Sequence, residues 1–210
     1  MNVLHIQSSP RGERSNSIAL TNAFLAASRK VLPEINEDVL NVWDERLPEF
    51  DNAAIEAKYK GVSGAAMNDA ETAAWNRIKA LVARFKRADR IVVGVPMWNF
   101  AYPYKLKQLI DLVSQRNMLF TFDGVRFGPL LKTPRAMVIY TRGQEYREDL
   151  PTPPSRFNHQ SSYVEFWLRF IGVQDVRALA VENTWGDKAE ASMLAARDEV
   201  AALAKDFWDL

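Results

Sequence analysis

The chain has 210 residues, with 27 Lys+Arg against 26 Asp+Glu, two histidines and no cysteine. Without cysteine there is no disulfide, thiolate nucleophile, Cys-ligated zinc or iron–sulfur cluster. A net charge of +1 gives no electrostatic reason to expect nucleic acid or an anionic membrane as partner. The nine glycines are spaced so that neither G-x-G-x-x-G, nor a P-loop, nor G-x-S-x-G can be drawn. The length predicts one domain spanning 1–210, and 48% hydrophobic with 25% charged residues is the composition of a soluble globular protein. No apolar run approaches the ~20 residues of a membrane span. Met1–Gln7 lacks the basic start of a signal peptide, and with the absence of cysteine this predicts a cytoplasmic protein.

In chain order, Val3–Gln7 is a short apolar run stopped by Ser8-Ser9-Pro10-Arg11-Gly12, which predicts a strand and then a polar loop. Leu20, Phe24, Ala27 and Val31 share one helix face, with Ser15 or Ser17 placed to cap it. Val39–Val42 is a weaker strand, and residues 44–68 read as loop with at most a short helix. Trp75, Ile78, Leu81, Val82 and Phe85 mark a long helix, followed by the β-branched strand Ile91–Val95 and Pro96. Leu106, Leu109, Ile110 and Val113 mark the next helix, and Phe120–Phe127, turning at Asp123-Gly124, reads as a small β-hairpin insertion. Ala136–Tyr140 is a fourth core strand, and residues 143–158 form a long loop of a length often tied to function. Tyr163, Phe166, Trp167 and Phe170 form an aromatic helix face ending at Gly172, Val176–Val181 is a fifth strand, and Met193, Leu194, Val200, Leu203 and Phe207 belong to a final helix.

Strands alternating with helices predict an α/β fold with a parallel sheet covered on both faces. Five strands in this length fit the flavodoxin-like, doubly wound order, in which ligands bind outside the carboxyl ends of the strands at the switch point. Three loops therefore matter. Ser9 and Ser15-Asn16-Ser17 lead into a helix N-terminus, where hydroxyls, N–H groups and the dipole favour an anion; a simply capped helix is the alternative. Pro96-Met97-Trp98-Asn99-Phe100 mixes aromatics with an amide, as a flat heteroaromatic ligand requires, although aromatics also cap cores and fill interfaces. Thr141-Arg142-Gly143-Gln144 offers a hydroxyl and a glycine, while Arg142 has the option of pairing with an acid. Jointly they suggest a nucleotide with one phosphate and an aromatic ring system. His5, inside the first strand, reads as a packed core histidine, and His159 as a surface residue near a helix start.

These residues resemble the FMN-dependent NADH-azoreductases, relatives of the flavodoxin-like NAD(P)H:quinone oxidoreductases. Ser9 with Ser15-Asn16-Ser17 is similar to that family's phosphate loop, Pro96–Phe100 to its Pro-Met-Tyr/Trp-Asn-Phe motif, Thr141–Gly143 to its Ser/Thr-Arg-Gly-Gly loop, and Phe170-Ile171-Gly172 to its Phe-Ile-Gly. Gln144 departs from the second Gly, and Tyr146 stands near a position that is His in some members. The resemblance implies non-covalent FMN held by Ser9, Ser15, Asn16 and Ser17 at the phosphate and by Pro96–Phe100 and Thr141–Gln144 at the ring. It implies NADH or NADPH as co-substrate and a homodimer with its active sites at the interface. Ping-pong reduction of quinones and cleavage of azo compounds to amines would follow. Phe100, Phe122 and Trp167 are candidate walls of the substrate site, with core or dimer packing as their other reading, and Tyr146 is a candidate proton or hydrogen-bond donor to the substrate, with a solvent-facing loop position as its other reading. No protein side chain is expected to carry the chemistry, because the flavin does. A flavodoxin-type electron carrier without nicotinamide turnover is the alternative; such carriers are usually strongly acidic, unlike this chain.

Overall fold

The computed structural model describes residues 1–133 and 135–208. Five parallel strands, β1 (Asn2–Gln7), β2 (Asn36–Asn41), β3 (Arg90–Pro96), β6 (Arg135–Thr141) and β7 (Asp175–Val181), form one sheet in the order β2-β1-β3-β6-β7. This is the doubly wound order, and it places the switch point between β1 and β3. The expected hairpin is present as β4 (Phe120–Phe122) paired antiparallel with β5 (Phe127–Pro129).

Successive residues of a strand point to opposite faces, and here both faces are covered. Val3, Val92, Met137 and Ile139 pack under α1 (Asn16–Val31) and α7 (Ala189–Asp206). Leu4, Ile91, Val93 and Val138 pack under α3 (Asp69–Arg87), α4 (Tyr104–Val113) and α6 (Ser161–Ile171). That double burial is why the central strands read as unbroken apolar runs. Gly94 lets α1 lie close on β3: a Cβ there would sit 3.0 Å from the Ser17 carbonyl oxygen.

Three expectations are corrected. Residues 44–68 contain a three-turn helix, α2 (Asn52–Ser63), where a loop with at most a short helix was expected. Its buried face is made of Ala54 and Ala57, too small to stand out as an apolar stripe, while Asp51 caps its start and left-handed Gly64 (φ 76°) its end. It is tied to α3 by Lys60, which donates to the buried Glu71 carboxylate at 2.7 Å. The long 143–158 segment is also not all loop, since a short helix α5 (Pro154–Phe157) closes it. The second strand begins earlier than Val39, because the ladder pairs Asn36 with Asn2.

His5 is fully buried in β1, as expected of a core histidine. Its Nδ1 lies 2.8 Å from the Glu37 carboxylate and its Nε2 2.8 Å from the Thr21 hydroxyl, which itself reaches the Ser17 carbonyl in the first turn of α1. The His5 hydrogen bond is the main reason that the Glu37 carboxyl falls from 4.5 to about 2; burial opposes the shift and Arg29 reinforces it. A carboxylate lowered in the folded state stabilises above its unfolded value and loses that contribution as pH falls through the folded one. The stability gap between the native chain and Glu37→Gln, measured by urea unfolding, should therefore narrow as pH drops from 4.5 toward 2. A gap independent of pH in that window would show that Glu37 ionisation is not coupled to folding.

Candidate active site

Four loops at the carboxyl edge of the sheet line one cavity of about 240 Å³. The β1 loop contributes Ser9, Arg11, Ser15 and Asn16; the β3 loop Pro96, Met97 and Trp98. The β6 loop adds Thr141 and Gly143, and the β7 loop Thr184 and Trp185. Eight of the residues singled out in the sequence thus meet in space, although they are up to 134 positions apart (Ser9 to Gly143).

One end of the cavity is the start of α1. Ser15 caps it, its hydroxyl accepting from the Ile18 N–H at 3.4 Å and lying 3.2 Å from the Ser17 hydroxyl. The first turn carries no acidic residue. At a helix start the N–H groups of Asn16 and Ser17 have no intrahelical acceptor, so they present partial positive charge. Ser17 itself is fully buried and does not line the cavity, so its side chain supports Ser15 from behind. The Asn16 amide donates to the Thr184 carbonyl at 3.2 Å and joins the first and last loops.

The other end is a tight turn. Trp98 and Ala101 exchange backbone hydrogen bonds of 2.9 Å in both directions, and the two residues between them, Asn99 (φ 46°) and Phe100 (φ 67°), are both left-handed. Left-handed backbone at two consecutive non-glycine residues is costly, the more so for a phenylalanine, and such strain persists only when the surroundings impose it. The surroundings here are the His159 N–H, which donates to the Phe100 carbonyl at 3.0 Å, and the Phe157 ring, edge-on to Phe100 at 5.1 Å. Among the described residues the N–H groups of Asn99 and Phe100 have no acceptor within the protein. Asn99 and Phe100 sit exposed at the turn tip, just outside the cavity lining.

The tertiary structure places several other residues differently from the expectation. Arg142 is buried; its guanidinium donates to Gln160 at 3.0 Å and to Glu182 at 2.9 Å, and lies over the Tyr146 ring. Gln160 in turn donates to the Val95 carbonyl at 2.9 Å, so Arg142 straps the β3, β6 and β7 loops together instead of facing the cavity. Gln144 is exposed beside the cavity, and Tyr146 is half-buried, its hydroxyl held above its usual range by burial and so neutral. Trp167 is a correction: it is buried against Phe85 with its indole N–H on the Ser114 hydroxyl, and walls no open surface. Phe122 lies on the hairpin, stacked on Phe127, away from the cavity lining.

Three residues were not anticipated. Trp185, 79% exposed, and Thr184 form the cavity side contributed by the β7 loop. Trp43, in the β2 loop, backs Trp98 at 5.7 Å and donates its indole N–H to the Ser8 carbonyl at 2.9 Å. The signal was available: in a parallel sheet the loops after β2 and β7 open on the same edge as those after β1, β3 and β6.

A model of the flavodoxin-like fold matches residues 1–204. The chain is 58% identical to an FMN-dependent NADH:quinone oxidoreductase of Burkholderia lata over 207 residues, 99% of this chain and 100% of the relative. It is 45% identical to another protein of that name from Pseudomonas syringae pv. tomato, across 97% and 98% of the two chains. The crystal structure of an azoreductase from Bacillus anthracis superposes with a TM-score of 0.88 at 25% identity, covering 99% of this chain and 100% of that one. With residues from four distant loops gathered at the switch point of a doubly wound sheet, the chain belongs to the flavodoxin-like family of FMN-dependent NADH:quinone oxidoreductases.

Proposed function

We propose that the chain is an FMN-dependent NADH oxidoreductase that reduces quinones and cleaves azo compounds, acting as one FMN-binding unit over 1–210 in the cytoplasm. The observation that carries this reading is a crevice with an anion-ready helix start on one side and Met97 and Trp98 on the other, running directly into a strained aromatic turn whose Asn99 and Phe100 N–H groups, at the crevice rim, have no acceptor among the described residues. Those two ends fit the phosphate and the polar ring edge of FMN. Ser9, Ser15 and Asn16 would hold the phosphate, and Ser17 would hold Ser15. The backbone from Met97 to Phe100, with Thr141 and Gly143, would hold the ring edge, and the free N–H groups would favour negative charge there. When bound, FMN would supply the two-electron redox chemistry between NADH and the oxidant. The protein's share is to orient the ring, to exclude water with Trp98 and Trp185, and to keep the neutral Tyr146 hydroxyl nearby as a hydrogen-bond donor.

Further support exists for a homodimer. At about 240 Å³ the cavity is smaller than the ~300–1,000 Å³ of most small-molecule sites, which suits a crevice completed from outside. A ladder of rings runs from Tyr102 beside the site through Tyr163, Phe166 and Phe170 to Phe127 on the hairpin, with neighbouring centroids 5.3, 6.4, 6.0 and 5.7 Å apart. Phe166 is 60% and Phe127 61% exposed, an apolar stripe that a second copy would cover.

The deciding experiment is reconstitution. Purified protein given FMN should turn yellow, and the colour should bleach when NADH is added without oxygen and return with a quinone. Asn99→Ala should weaken FMN retention by about tenfold, through loss of its amide and of its tolerance for left-handed backbone. A protein that takes up no FMN would end this reading. Accumulation of a one-electron form without NADH turnover would favour the electron carrier.

A further inference from the structure

A larger cavity, of about 780 Å³, opens at the opposite end of the sheet, below the amino end of β3. β3 has seven residues, so at about 3.3 Å per residue some 20 Å of strand separates it from the switch-point crevice. Its wall carries three cationic side chains, Lys86, Arg90 and Lys132, against one carboxylate, Asp89. That carboxylate is engaged, since Asp89 accepts from the Asn2 N–H at 2.7 Å. The remaining wall includes Met1, Leu130 and Leu131, so the space is basic at one side and apolar at the other.

Arg90 is the unusual member. It is 2% exposed and one of the largest fully buried side chains, yet among the described residues its guanidinium makes one hydrogen bond, from Nη1 to the Asp89 carbonyl at 3.0 Å. Its Nε is buried and has no acceptor among the described residues. Its register neighbour on β6 is another cation, Arg135, whose own guanidinium reaches Asp175 and the carbonyl oxygens at the end of α7. Burial and then Arg135 hold the Arg90 guanidinium below its usual range, against the opposing pull of the neighbouring Asp89 carboxylate. The other buried arginine among the described residues, Arg142, is paired with Glu182. Burying one without a partner is among the costliest things a fold can do.

We propose that this cavity is a second ligand site, taking a small organic carboxylate whose anionic head pairs with Arg90 and Lys132 and whose apolar body lies against Leu130 and Leu131. The volume falls within the ~300–1,000 Å³ usual for drug-sized ligands. A carboxylate supplies the planar acceptor that a guanidinium matches best, and it would give Arg90 a directly bonded acid, which it does not have among the described residues, where the nearby Asp89 carboxylate is held by the Asn2 N–H.

The test uses FMN-loaded protein titrated calorimetrically with 2-naphthoate, 2-naphthalenemethanol and inorganic phosphate. The expected result is saturable one-site binding of 2-naphthoate and at least about tenfold weaker binding of the neutral alcohol, since the charge-assisted pair is lost. Arg90→Met and Lys132→Ala should each weaken 2-naphthoate by at least about tenfold, with flavin content and NADH turnover unchanged. Lys132 is exposed, so its variant carries the test should Arg90→Met fail to fold. Equal binding of the alcohol, affinity unchanged in the variants, or binding of phosphate without binding of 2-naphthoate would each overturn the proposal. None of these outcomes bears on the flavin site, whose occupancy is read separately.

Discussion

Ser15→Asp should lower FMN affinity by about a hundredfold while leaving the apoprotein's fold intact. Ser15 caps α1 through its side-chain oxygen and lines the crevice at its anion-ready end. Aspartate caps a helix as well as serine does and suits the positive end of the dipole, so apoprotein stability should change by less than about 1 kcal/mol. The same charge faces the proposed phosphate. Two negative charges about 6 Å apart at an effective dielectric near 20 repel by roughly 3 kcal/mol, or about two decades in affinity. Ser15→Asn, an equally good cap without the charge, is the control and should bind FMN close to normally. Fluorescence titration of FMN into the three apoproteins checks this, with thermal melts to verify the fold. Equal affinity in the Asp and Asn variants would move the phosphate away from the start of α1.

Gly172→Ala should be among the most damaging single-methyl additions in the chain. Gly172 ends α6 at φ 120°, and a Cβ there would lie 2.2 Å from the Leu131 carbonyl oxygen and 2.9 Å from its carbon. That contact is with backbone, which cannot rotate aside, and it is pinned, because the Leu131 N–H donates to the Ile171 carbonyl at 2.9 Å. Strain plus enforced displacement of the β6 approach should cost more than about 3 kcal/mol, near the upper range for point substitutions. For a chain of this size that is a fall of roughly 6–12 °C in Tm. Gly64→Ala separates the two causes. Gly64 is also left-handed (φ 76°) but has nothing within 4 Å of the added methyl, so it should lose about 1 kcal/mol from strain alone. Similar melting temperatures for the two variants would show that the crowding at Leu131 is relieved without cost. The glycine of the Phe170-Ile171-Gly172 motif thus has a packing reason that its sequence context does not display.

The apolar runs of β3 and β6, the helix periodicities and the polar loop before α1 were legible because each depends on residues close in the chain. From Ile91 to Val95 strand β3 is apolar because both faces of the sheet are covered, and that pattern survives without knowing what covers them. Helix α2 was not legible, because alanine burial against a neighbouring helix leaves little mark on hydrophobic spacing. At the site, the carboxyl-edge rule located the β1, β3 and β6 loops, and the structure brings all three to one cavity.

What the sequence determined by itself is therefore the doubly wound fold, the edge of the sheet where the crevice opens, and the residue types offered there: hydroxyls at a helix start and aromatics with an amide after the central strand. What only the tertiary structure decided is which of those side chains face the crevice. Arg142 turns inward because Glu182 and Gln160, from other loops, complete its hydrogen bonds. Trp167 turns inward because Phe85 and Ser114 fill its surroundings. Trp185 joins the site because β7 ends beside β6. The physical reason is common to all three: a side chain's direction is set by partners distant in sequence, and those partners exist only once the chain has folded.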